Sequence, residues 1–105
     1  MQKQTLIQLF LPLQGEAGAG YPRDLFDCVR GELTERFGGV TAYLRSPAAG
    51  AWEDDDGDVQ RDRMVLLEVM ADRLDHRWWD GYRRELEQRF AQEEILVRAF
   101  PVERL

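Results

Sequence analysis

Apolar residues recur along this chain with two different periods, and the switches between them mark out its elements. From Thr5 to Leu11 bulky and β-branched residues form a run that ends at Pro12, which cannot donate to a ladder, so the segment reads as a strand. After the loop QGEAGAG, Phe26, Val29, Leu33 and Phe37 return at spacings of three, four and four. Pro22 ahead of them and Gly38-Gly39 behind punctuate an amphipathic helix. Val40 to Arg45 is a second strand broken by SPAAG, and Met64 to Ala71 a third. Asp75 suits a helix cap, and Trp79, Tyr82, Leu86 and Phe90 form the next helical stripe. Gly81 within that stripe costs about 1 kcal/mol relative to alanine without ending the helix. The segment EEILVRAF reads as a last strand closed by Pro101.

The order strand, helix, strand, strand, helix, strand predicts an α+β domain of the ferredoxin-like βαββαβ kind. Its four-stranded antiparallel sheet carries both helices on one face, with the first and third strands in the middle. A second strand at the edge agrees with Pro47, because an edge tolerates a missing donor. No composition shift divides the 105 residues, so one domain is expected.

Alternation then assigns side chains to faces. Ile7, Leu9 and Leu11, Val40, Ala42 and Leu44, Val65, Leu67 and Val69, and Ile95, Val97 and Ala99 form the set expected under the helices. The opposite parity carries Leu6, Gln8, Phe10, Thr41, Tyr43, Arg45, Met64, Leu66, Glu68, Met70, Leu96, Arg98 and Phe100. That face is too apolar to stay wet, and an apolar area of this extent on a small domain marks a partner surface. A second copy of the chain, packed sheet to sheet about a two-fold axis, is the simplest partner. Across it Arg98, Gln8, Glu68 and then Tyr43 or Arg45 are expected in a polar row. One reading pairs Glu68 with Arg45 or Arg98 to satisfy charges buried by dimerisation. The other makes Gln8, Tyr43, Arg45, Glu68 and Arg98 line a ligand cavity, with Leu6, Phe10, Leu66 and Met70 as interface residues.

Between the second and third strands the stretch WEDDDGDVQRDR gathers acidic residues around Gly57. As a calcium loop with Gly57 at the sixth position it places Trp52 at the first and Arg63 at the twelfth, neither of which is an oxygen ligand. Asp56-Gly57 instead suits a two-residue type I′ turn, giving a projecting hairpin with an acidic tip and Trp52 facing Arg61. Trp52 could then anchor a protein partner, with acidic rim charges around it.

Composition narrows the chemistry. A net charge of −6 argues against a nucleic-acid partner, which is held by clustered Lys and Arg. No run is long enough to span a bilayer. The apolar stretch LIQLFLPL is a core strand rather than a leader, and a cytoplasmic protein is expected. Cys28 alone can form no internal disulfide and reads as a semi-buried small apolar residue; His76, at the start of a helix, reads as a surface residue without a nucleophile beside it. One histidine and one cysteine make no zinc set, so no metal or cofactor is expected.

The segments ELTERFGGVTAY, Trp52 with GDVQRDRMVLL, and YRRELEQRFAQEEILV together resemble a family of small bacterial proteins of unknown function. The resemblance runs from about Leu9 to Arg98. It implies a compact ferredoxin-like α+β domain, with motif positions at Thr34, Arg36, Phe37, Thr41, Trp52, Asp62, Tyr82, Arg83, Phe90, Gln92 and Glu93. Asp62 stands where the family has glutamate and Glu94 where it has serine, so a site built on either is not carried over. The resemblance adds no activity; the second sheet face instead suggests a homodimeric module binding a small molecule or protein through it, or a cofactor-free enzyme of the dimeric α+β barrel type using Tyr43, Arg45, Glu68 and His76, and the Trp52 hairpin a protein-interaction module.

Overall fold

The computed structural model describes residues 2–15, 19–45 and 64–105. The element order is β1 (Gln2–Pro12), α1 (Arg23–Phe37), β2 (Thr41–Arg45), β3 (Met64–Ala71), α2 (His76–Arg89) and β4 (Val97–Arg104). The strands form one four-stranded antiparallel sheet in the order β2-β3-β1-β4, the ferredoxin-like arrangement with β1 and β3 central. The expected hairpin tip and Trp52 lie outside the described residues.

Both helices pack on the face formed by the odd-numbered residues of β1 and β3. Ile7, Leu9, Leu11, Leu67 and Val69 of the sheet are buried there with Val29 and Leu33 of α1 and with Trp79, Tyr82 and Leu86 of α2. Phe90 and Ile95 complete the cluster where α2 gives way to β4. Burying a side chain of this size contributes about 1.5–3 kcal/mol, which is why the central strands read so clearly in the pattern. The edges are covered less. Val40 and Val97 pack partly against the core, whereas Ala42 and Ala99, expected inside, are exposed. Two helices seated over the middle of the sheet leave the outer strands largely unroofed.

Helix ends follow local chemistry. Gly38 takes φ +83° and its N–H donates to the Thr34 carbonyl at 2.8 Å, closing α1 in a left-handed cap. At the start of α2 the Asp75 carboxylate accepts from the Trp78 N–H at 3.0 Å, as the cap position predicts. Past α2, the Gln92 side chain donates to the Phe90 carbonyl at 3.1 Å and to the Tyr21 hydroxyl at 3.2 Å, while Tyr21 itself donates to the Phe90 carbonyl. Glu87 accepts from the Ile95 N–H at 3.0 Å, securing the approach to β4.

β4 departs from its expected bounds. It does not stop at Pro101 but continues to Arg104, with Pro101 opposite Thr5. An edge strand has a neighbour on one side only, so a proline whose nitrogen faces away from β1 costs no ladder bond. Cys28 also differs from expectation, being exposed on α1.

Because a side chain at Gly38 would meet nothing within 4 Å, Gly38→Ala isolates the backbone cost of the left-handed cap. Destabilisation by about 1–2 kcal/mol is expected, read as a lower urea midpoint at unchanged m-value.

Candidate functional site

The face of the sheet turned away from the helices has no cover among the described residues. Period-two alternation sends Leu6, Gln8, Phe10, Leu66, Glu68, Met70, Thr41, Tyr43, Arg98 and Phe100 to it, and the ladder registers bring them side by side. Tyr43 is 46% exposed, Met64 38%, Met70 39%, Leu96 50% and Phe100 39%. Apart from the terminal Leu105, these are the exposed large hydrophobic residues of the described chain; Tyr43, Met64, Met70 and Phe100 lie on this face, and Leu96, just ahead of β4, borders a hollow with Phe10 and Met64. In its middle Leu66 and Gln8 are buried by their own neighbours.

A polar row crosses that apolar ground. Arg98 faces Gln8, Gln8 faces Glu68, and Glu68 faces Thr41. The Arg98 Nε–H donates to Gln8 Oε1 at 2.7 Å, and Gln8 Nε2 donates to Glu68 Oε2 at 2.7 Å. Gln8 is thus a buried amide held between a guanidinium and a carboxylate, its orientation set by the charge on each side. Hydrogen bonds to charged groups contribute about 1.5–3 kcal/mol net, enough to hold the row in one geometry. The Arg98 guanidinium also lies 5.0 Å from the centre of the Phe10 ring.

Two expectations about the row are corrected. Its fourth member is Thr41, because Tyr43 sits opposite Leu66 and Arg45 opposite Met64. Glu68 meets Arg98 through Gln8 rather than by a direct ion pair. The side chain of Arg45 lies outside the described residues.

A depression of about 610 Å³ opens at the Glu68 end of the row, lined by Leu6, Thr41, Glu68 and Met70 together with Val40 and the glycine turn after α1. Of the residues expected at a site, Leu6, Glu68 and Met70 therefore meet at one hollow. Phe10 lines a smaller one of about 270 Å³ near Met64 and Leu96. Gln8, Leu66 and Tyr43 belong to the same face without lining either hollow, and Arg98 borders a third, of about 320 Å³, between α2 and β4. His76 also borders that third hollow with Asp80 and Arg83, exposed at the first position of α2, with no serine or cysteine among the lining residues.

A polar cluster between the helices was not anticipated. Arg89 of α2 makes a two-pronged ion pair with Glu32 of α1, at 2.7 and 2.8 Å, and also reaches Glu85 at 2.7 Å. The Tyr82 hydroxyl donates to Glu32 at 2.9 Å. Hydrogen bonding from Arg89 holds the Glu32 carboxyl below its ordinary value of 4.5, and burial, reinforced by Glu32, pushes the Tyr82 phenol well above 10.0. The cluster clamps α1 to α2, away from the open face. Arg36 and Arg83, two of the motif positions, have acidic neighbours: Asp75 at 3.8 Å for Arg36, and Asp80 and Glu87 at 3.0 and 2.8 Å for Arg83.

A carboxyl whose acidity is increased by folding stabilises the fold above its unfolded pKa, and that contribution is lost as pH falls through the folded value. Wild type is therefore expected to exceed Glu32→Gln in stability at pH 7. The gap in urea midpoint narrows once the pH drops below about 4.5. A gap independent of pH would contradict the charge-based clamp.

No protein-family model matches the sequence, and neither does any curated protein. Among solved structures the chain is similar to one described as a phage SAM lyase in complex with S-methyl-5'-thioadenosine. The TM-score is 0.55 at 14% identity, over 99% of this chain and 92% of that one. At that identity the likeness shows the fold alone, and it is consistent with the ferredoxin-like α+β arrangement of the described residues.

Proposed function

We propose that this chain is a homodimeric binding module for a small molecule, with the open sheet face serving as both subunit interface and wall of the ligand site. The observation that carries the reading is the concentration of Tyr43, Met64, Met70 and Phe100 on that one face around a polar row centred on the buried Gln8. Exposed apolar area of this kind is unfavourable in water, and a second copy apposed about a two-fold axis covers it with chemistry of its own kind. The depression at Glu68 supplies what apolar packing does not: a carboxylate and the Thr41 hydroxyl set among Leu6 and Met70. Such a hollow suits a flat, weakly polar ring carrying an N–H or O–H donor. The protein of similar fold described above is in complex with a nucleoside thioether, a molecule of that character.

A net charge of −6 agrees with a partner other than nucleic acid, and no helix among the described residues is long and apolar enough to cross a membrane. A cytoplasmic setting is part of the proposal. A second reading, a cofactor-free enzyme on the same face, draws support from the description of the similar structure as a lyase. Glu68 would then accept a proton from the bound molecule, and binding would remain the first step.

Two results check the leading reading. Phe100→Lys, at an exposed edge position, is expected to turn a dimer into a monomer in sedimentation velocity while leaving the melting temperature within a few degrees; an unchanged mass would contradict the interface. Native mass spectrometry of the freshly purified dimer is expected to show a retained small-molecule mass that Glu68→Ala lacks. A dimer equally bare in both proteins would remove the ligand from the account.

A further inference from the structure

Beside the Glu68 depression, at the end of the sheet where β1 begins and β3 and β4 finish, lies a second one of about 660 Å³. The two hollows share Gln4, Phe37, Met70 and Arg104. The second is unlike the rest of this acidic chain, because Arg36, Arg73 and Arg104 line it against only Asp72 and Asp75. Both carboxylates already have partners within the chain. Asp72 accepts from the side-chain amides of Gln2 at 3.4 Å and Gln4 at 3.1 Å. Asp75 caps α2 and stands 3.8 Å from Arg36, whose guanidinium lies 4.1 Å from the centre of the Trp78 ring. Neither Arg73 nor Arg104 pairs with a carboxylate among the described residues.

A separate observation points the same way. Gln4 Oε1 is a buried acceptor without a hydrogen-bond partner, and Gln4 lines both hollows. An orphaned acceptor of this kind costs about 1–3 kcal/mol, and since the atom is closed to solvent, the Gln4 side chain turns toward the hollow before a ligand N–H or O–H reaches it.

We propose, resting on the open-face reading above, that the arginine-lined hollow is the subsite for the anionic end of an elongated ligand, a carboxylate or phosphate. The ligand's less polar ring occupies the Glu68 depression, and an amino or hydroxyl group between its ends meets Gln4. The span is set by the strand. Met70 lies about 7 Å along β3 from Glu68 at the extended rise, and Asp72 and Arg73 follow in the bend just past the strand's end. Guanidinium groups suit the anion because their planar donor fork matches two oxygens at once.

The test compares two probes of one chemistry by calorimetry. S-methyl-5'-thioadenosine is a nucleoside thioether, and S-adenosylhomocysteine is the same thioether lengthened by an α-amino carboxylate. Wild type is expected to bind the longer probe at least ten-fold more tightly. The variant Arg73→Gln, at a residue that lines the arginine hollow and not the Glu68 depression, is expected to lose that advantage while binding the shorter probe unchanged. Equal affinity of the two probes in wild type, or an advantage that survives in Arg73→Gln, overturns the subsite. If neither nucleoside binds, the open face is not a site for such rings, and inorganic phosphate decides the anion subsite by itself. Saturable shifts of the Arg73 and Arg104 Nε–H resonances, absent for the remaining residue in each single variant, would uphold it. Shifts that rise linearly with salt would overturn it.

Discussion

A β-sheet has two faces, and the described residues of this chain provide helices for one of them. The pleat makes that constraint unavoidable, since each residue that turns inward sends its neighbours outward. In β1 and β3 both parities are rich in large apolar side chains, so burying Ile7, Leu9, Leu67 and Val69 under the helices places Leu6, Phe10, Leu66 and Met70 on the far side. Everything functional in the account follows from this second surface. Its apolar ground favours a cover, and the row of Arg98, Gln8 and Glu68 gives that cover or a ligand something specific to recognise.

The two faces are held by different physics. The helical side is a close-packed core tied at its outer surface by charge, with Arg89 reaching from α2 to Glu32 on α1. The open side is organised by one neutral amide between two ions. Gln8 cannot satisfy both ions in the reverse orientation, because its oxygen would then face the carboxylate and its N–H₂ the guanidinium. This makes the row a directional element, and it sets Glu68 at the margin of a hollow beside Thr41.

The alternation legible in the sequence identifies which face each strand residue occupies, and with the element order it yields the topology and the central place of β1 and β3. It does not yield the register. A slide of two residues keeps every side chain on its face, so alternation points to Tyr43 or Arg45 beside Glu68 where the ladder places Thr41. Edge behaviour was equally hidden: Ala42 and Ala99 carry the core parity but lie where no helix reaches. Pro101 continues a strand that a local reading ends. The Glu32–Arg89 clamp joins residues 57 apart in sequence through the packing of two helices, and no short-range spacing announces it. Gln4 and the arginines around it come together in the same way, from the ends of separate elements.

The most direct test of the covered-face account is the accessibility of the Met64 and Met70 methyl groups to a soluble paramagnetic agent, measured by NMR on methyl-labelled protein. In the isolated chain both side chains are exposed, on the open face. If a second copy covers that face, their signals resist broadening at high protein concentration and lose this protection together on dilution. Signals broadened as strongly as those of free methionine at every concentration would show that the face stands open in water, contradicting the account at its centre.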